Sequence, residues 1–384
     1  MFLLSKKNKL TWREKCLFLI FIIYGVLSLL DWSQFDGLIP ELHIIYLYYQ
    51  IITVPILFIL FLGSHPSHKI LIPAIIIFLF ALYATIVEST PIFLMFVSFF
   101  YAGRNIKYRI LFKTDIIFKI ITFLGIYFAY RIGYLTNVVV NRGEGIRQSF
   151  GFKYPTYVMY VVLIIAIEWL LIRKEKITWL EVIIILVIGS FINKFADSRG
   201  EVIALFIACI GGLLLSKFIK IQDFCLNNKI VKVCLIILPE IICLLNYILV
   251  STINIANPLY NIINKFTSSR LNIFQYYLNE YGLRFFPRKL ALNYLNYNGS
   301  WLDVIDNSYL YLGILFGVII LLIYLGIFSF LIKNAIDNKN VTLIAIMCAF
   351  VILNMVEYVS LMPVVALYCL TWKTDRYETM SINQ

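Results

Sequence analysis

The sequence predicts an all-α, polytopic integral membrane protein of about twelve transmembrane helices, with a large outer loop carrying short amphipathic helices. Three observations lead there. The chain of 384 residues is 61% hydrophobic and only 14% charged, with a mean hydropathy of +0.88. Runs such as "CLFLIFIIYGVLSLL" and "KILIPAIIIFLFALYATIV" are close to the length that crosses about 30 Å of hydrocarbon as a helix. Those runs are continuously apolar, whereas the strands of a membrane barrel would alternate polar and apolar residues.

Taken in order, the apolar runs cover residues 16–30, 43–63, 69–87, 91–103, 115–133, 155–172, 177–193, 200–216, 233–253, 307–332, 341–356 and 359–372. The run 91–103 is the shortest. The first lacks a small-residue cleavage site and is expected as a retained helix. Residues 1–384 read as a single transmembrane domain without internal repeats, with outer loops at 134–154 and 254–306. This arrangement follows from Lys and Arg, which favour cytoplasmic loops. The basic start "KKNKLTWREK" puts the N-terminus in the cytoplasm, and an even number of spans brings the C-terminus there too. Of 33 Lys and Arg, eleven then fall outside: Arg131, Arg142, Arg147, Lys153, Lys194, Arg199, Lys265, Arg270, Arg284, Arg288 and Lys289. Long loops cross the membrane whatever their charge, which accounts for the loop 254–306. Short turns obey the rule, so cations at 194–199 call for a reason.

Several chemistries are disfavoured. The net charge of +12 is scattered over short loops, which argues against a nucleic-acid partner. The seven cysteines lie in or beside apolar runs with no CxxC, so disulfides and a structural zinc are not expected. No phosphate-binding loop or dinucleotide fingerprint occurs. Asp303 and Asp306 form a DxxD, not a metal-binding DxD, and His65 and His68 fall in a short inner loop. No row of ionisable residues is expected at mid-span. Glu168 comes nearest and lies close to an inner end.

Three outer pieces carry chemistry. In "FINKFADSRGEVIALF" (191–206), Arg199 opens a helix. Its planar fork suits phosphate oxygens, helix N-termini attract anions, and Gly200 would admit a bulky anion to the backbone. Asp197 capping the helix and pairing with Arg199 is an equally ordinary reading. In "NRGEGIRQSFGFKYPTYVMY" (141–160), Arg142 and Arg147 flank Gly143-Glu144-Gly145, and Pro155 suits a first helical position. In "SSRLNIFQYYLNEYG" the apolar residues of 270–282 recur at helical spacing, predicting an amphipathic helix on the outer leaflet. "WLDVIDNSYLYLG" then leads into the next span.

These pieces, in this order, resemble the bacterial Wzy-type polymerases of O-antigen, capsule and exopolysaccharide, and the related O-antigen ligases. The resemblance covers roughly residues 90–372 and includes Glu357 where the family often carries a late acidic residue. Tyr154-Pro155-Thr156 stands where relatives often read His-Pro-Asn, and Asp306 where ligases carry a histidine, which favours polymerase over ligase. The resemblance implies a glycosyltransferase in the bacterial cytoplasmic membrane, acting at its outer face on undecaprenyl-diphosphate-linked oligosaccharide. It implies no metal or nucleotide cofactor, and a flippase and a chain-length regulator as candidate protein partners. Candidate catalytic residues are Asp306, Arg199 and Glu144. Arg142, Arg147, Arg270 and Arg288 are expected at the diphosphate, and Tyr154, Asn307, Tyr309 and Glu357 at the glycan or in its support. Asp306 reads equally well as a simple helix cap. Two alternatives remain: a ligase transferring glycan to another acceptor, and a lipid-linked oligosaccharide flippase.

Overall fold

A computed structural model of the protein describes residues 10–358, apart from 105, 107, 142–145, 254–256, 267–269, 296–300 and 303–304. The chain runs through helices α1 (Trp12–Asp31), α2 (Phe35–Leu38), α3 (Glu41–Leu62), α4 (His68–Glu88), α5 (Ile92–Ala102) and α6 (Tyr108–Arg131). A hairpin of β1 (Val139–Asn141) and β2 (Ile146–Gln148) follows. Next come α7 (Pro155–Arg173), α8 (Trp179–Ala196), α9 (Arg199–Lys217), α10 (Ile219–Asn227), α11 (Lys229–Ile236) and α12 (Leu238–Thr252). The last described part holds α13 (Tyr260–Phe266), α14 (Leu271–Tyr281), a hairpin of β3 (Tyr294–Leu295) and β4 (Trp301–Leu302), α15 (Ser308–Tyr311), α16 (Val318–Asp337) and α17 (Val341–Leu353).

Every apolar run up to residue 356 is helical, and the run 359–372 lies outside the described residues. Among the described residues, α3, α4, α7 with the 3-10 turn that follows it, α8, α9 and α16 are long and apolar enough to cross a membrane. A bent pair, α11 and α12 at 56°, makes a possible seventh. This falls short of the expected count of about twelve. Helix α1 carries Arg13, Glu14 and Lys15 in its first turn, and α6 carries five charged side chains. Helices α5 and α17 have only 11 and 13 residues, too short for 30 Å at 1.5 Å per residue. Both are packed inside the bundle: α5 against α3 and α4, α17 against α9. The outer faces of α4 and α8 are apolar and open, with Leu79, Ile86, Leu180 and Phe191 each more than 60% exposed. Apolar surface on that scale belongs in lipid rather than water.

The architecture is all-α, as expected, with one small antiparallel hairpin between α6 and α7 and another between α14 and α15. The structure bears out Pro155 at the first position of α7 and a helix at 271–281. Leu271, Phe274, Tyr277 and Leu278 form the buried stripe of α14, which packs on α12.

A charged cluster lies inside the helix bundle. Lys119 is ion-paired with both Asp115 and Glu168, and all three side chains are buried. Asp115 and Lys119 lie one turn apart on α6 and so share a face. Only the packing of α6 against α7 brings Glu168 to them. Gly25 of α1 closes the site, since a Cβ there would stand 3.3 Å from Asp115 Oδ1.

Candidate functional site

The turn between α8 and α9 answers the question its charges raise. Asp197 takes a left-handed conformation (φ 45°, ψ 52°) and ends α8, its N–H donating to Asn193 O at 2.8 Å. Ser198, not Asp197, holds the N-cap position of α9, and its hydroxyl donates to Glu201 Oε2 at 2.9 Å. The Asp197 carboxylate is therefore free to serve two arginines, Arg147 Nε at 3.3 Å and Arg199 Nε at 3.4 Å. Arg147 also donates to the Asp197 carbonyl. Strand β2 delivers Arg147, which is only 4% exposed. Burial lowers its pKa against the pull of Asp197, and nearby Arg270 lowers it further. Gly200 does not make room for an anion. A Cβ there would stand 2.9 Å from Val356 Cγ2 and 3.3 Å from Leu353 Cδ1, so the glycine lets α9 approach the end of α17.

Arg270, at the N-cap of α14, is the centre of the second half. Its Nη1 pairs with Glu357 Oε1 at 2.8 Å and donates to Val356 O at 2.8 Å, while Nη2 pairs with Asp306 Oδ2 at 3.1 Å. Burial opposes the Arg270 charge, yet Asp306 and Glu357 outweigh it and raise its pKa. Burial likewise pushes the Glu357 carboxyl up to about 8, with Arg270 pulling down and the charges of Glu201 and Asp306 adding to the rise. Glu201, itself buried, feels both Arg147 and Arg270 and so links the two halves. The cluster thus holds Arg147, Arg199 and Arg270 against Asp197, Glu201, Asp306 and Glu357.

Segments 305–308 and 354–357 are zipped together. Ser308 N donates to Asn354 O at 2.9 Å, and Asn307 Nδ2 to Met355 O at 2.7 Å. The true N-cap of α15 is Asn307, whose Oδ1 accepts from Leu310 N at 3.0 Å. Capping therefore does not occupy Asp306, whose side chain is 29% exposed against 11% for Glu357.

An aromatic row lies beside Asp306. The hydroxyls of Tyr157 and Tyr358 share a hydrogen bond, and both feel the Asp306 charge. Trp32 stacks on Tyr157 at 5.2 Å and Tyr311 on Tyr358 at 5.7 Å. Tyr154, exposed at the start of α7, sets its ring edge against Tyr157. Flat rings beside a carboxylate suit the apolar faces and hydroxyls of a sugar.

Of the residues singled out in the sequence, the structure gathers Arg147, Arg199, Arg270, Asp306 and Glu357, with Tyr154 at the rim. Arg142 and Glu144 lie outside the described residues. Three others do different work from that expected. Asn307 and Tyr309 are buried, with Tyr309 Oη donating to Val351 O at 2.8 Å, so both hold the scaffold rather than face a ligand. Arg288 donates to the carbonyls of Tyr281, Gly282 and Ile314, beyond the far end of α14. The sequence reading missed Asp197 as a bridge between two arginines, and it missed Glu201, Tyr157 and Tyr358. Glu201 was legible as the fourth charge of "DSRGE"; the two tyrosines carried no signal among 26. Comparison with protein-family models, with curated proteins and with solved structures finds no match to this chain.

Proposed function

We propose that the protein is a membrane glycosyltransferase that polymerises undecaprenyl-diphosphate-linked oligosaccharide repeats at the outer face of a bacterial membrane. The observation that carries this reading is Arg270, held between Asp306 and Glu357 beside the Arg147–Asp197 pair and a row of tyrosines. Arginine forks at a partly desolvated site are suited to the charge that develops on a departing lipid diphosphate. A carboxylate next to them is suited to take the proton of the attacking hydroxyl.

In the proposed reaction, an acceptor sugar hydroxyl attacks the donor's anomeric carbon. The bond from that carbon to the diphosphate oxygen breaks, the hydroxyl proton passes to Asp306, and the lipid diphosphate leaves with the bonding electrons. Arg270 ties the two events together. Its Nη2 is engaged by Asp306, so an arriving diphosphate that takes this donor frees Asp306 to act as base. Glu357 keeps Arg270 in place from the more buried side, and the aromatic row receives the sugars.

The test is the lipid-linked glycan profile of a deletion strain complemented with variants. A polymerase mutant accumulates single lipid-linked repeats on the outer leaflet, and neither Arg270→Lys nor Asp306→Asn restores polymer. Long lipid-linked chains in the deletion strain would mean a ligase, and repeats trapped in the inner leaflet would mean a flippase.

A further inference from the structure

The segment 283–289 reads "LRFFPRK" and is fastened to the break between α15 and α16. Val318 N donates to Arg284 O at 2.7 Å, and Arg288 N donates to Leu315 O at 3.1 Å. The Arg288 side chain binds the end of α14 through Gly282 O at 2.9 Å. Gly317 (φ 86°) is required there, because a Cβ would stand 2.6 Å from Phe285 O. So secured, the loop presents Phe285 and Phe286, 71% and 56% exposed. Phe286 faces Leu79, Phe80 and Tyr83 of α4 across a cavity of about 420 Å³. A second cavity of about 450 Å³ adjoins it, lined by the loop itself. Arg284 and Lys289 are exposed beside them. Burial lowers the Arg288 pKa, and so does the Arg284 charge. Glu88, at the end of α4, is the acid near Arg288 and Lys289. Arg284 and Arg288 thus line the apolar groove, with Lys289 exposed next to them in the same loop.

We propose that this groove is a second binding site for a polyprenyl-diphosphate-linked glycan, the acceptor lipid of the reaction proposed above, on which this inference rests. That reaction joins two lipid-linked molecules. The donor's diphosphate is the leaving group and must sit at the reacting centre. The acceptor's attacking hydroxyl lies at the far end of its glycan, so its own diphosphate must sit elsewhere on the same membrane face. Helix α14 sets the separation: Arg270 is at its start, the Arg288 contacts are at its end, and its 11 residues span about 16 Å. A glycan of a few sugars bridges that distance. The open face of α4 gives the isoprenoid chain an apolar track, and the net positive mouth complements a diphosphate.

The test is binding stoichiometry by native mass spectrometry of the full-length protein in zwitterionic nanodiscs, with undecaprenyl diphosphate as the probe. The wild type takes two equivalents. The double variant Arg284→Ala/Lys289→Ala, altered only at exposed side chains, takes one, and Arg270→Lys also takes one. A wild type that binds a single equivalent, lost in Arg270→Lys, overturns the second site and leaves the proposed function standing. No binding at all takes down both. If equimolar phosphatidylglycerol displaces the Arg284/Lys289-dependent equivalent, the groove is a general anionic-lipid contact and the proposal is overturned.

Discussion

At the scale of single residues, the site is a problem in charge pairing. Removing Arg270 leaves Asp306 and Glu357 facing each other with no cation between them. Breaking a buried pair in this way costs about 3–5 kcal/mol, so Arg270→Ala is expected to lose both polymer and membrane abundance. Arg270→Lys keeps the charge but not the fork, and is expected to retain abundance while losing polymer; immunoblotting beside glycan analysis separates the two. Asp306→Asn removes a proton acceptor without touching the cap, because Asn307 makes the cap. It is expected to lower the polymerisation rate and to cost less stability than the roughly 3–5 kcal/mol of a broken buried pair, because Glu357 still holds Arg270. Glu357 supplies a pH signature. Its folded-state pKa is raised to about 8 from the usual 4.5, so the folded state holds a proton that the unfolded chain releases. That contribution to stability is complete below about 4.5 and disappears as pH rises through about 8. The melting temperature of the purified protein should therefore fall between about pH 4.5 and pH 8 and level off above, and Glu357→Gln should flatten the decline. An unchanged slope would show that Glu357 is ionised throughout.

At the scale of elements, close packing and caps place the charged groups. Gly200 allows α9 to meet the end of α17, so Gly200→Val should overpack that contact at a cost of about 1–3 kcal/mol and shift Glu357 away from Arg270. Loss of polymer with α9 still folded is the expected result. Replacing Asn307 by Ala removes an N-cap and leaves the Asn246 amide without its partner, which together cost roughly 2–4 kcal/mol. Much of this scale was legible in the sequence. Apolar runs gave the helices, Pro155 gave a helix start, and the spacing in "LNIFQYYLNEY" gave α14, because each depends on local pattern alone. The errors came where a side chain's role is settled by a distant neighbour. Asp197 reads as an N-cap until Ser198 is seen to hold that position. Gly200 reads as anion space until Val356 is seen to fill it.

At the scale of the whole molecule, long-range pairing is what the sequence hides. Asp115 and Lys119 announce themselves as a pair one turn apart, but Glu168 is 49 residues from Lys119 and joins only through helix packing. Lys119→Met would strand two buried carboxylates and is expected to destabilise the bundle by about 3–5 kcal/mol, read as loss of detergent-soluble monodisperse protein. The sidedness derived from Lys and Arg makes a separate prediction. In a variant without native cysteines, Tyr134→Cys, at a 70% exposed position, should react with an impermeant maleimide in wall-stripped cells. Glu175→Cys, exposed beyond the other end of α7, should react only after permeabilisation. The reverse pattern would turn the proposed site towards the cytoplasm.

The zipper between 305–308 and 354–357 also bears on how the protein is made. Arg270 and Asp306 emerge from the ribosome well before Glu357, and neither the full ion cage nor the Tyr157–Tyr358 bond can form until α17 has been threaded and docked on α9. For most of its passage into the bilayer the growing chain therefore lacks the assembled cluster. The cluster is completed only when Glu357 docks: a chain stalled before that point holds arginines and carboxylates, but no assembled cage.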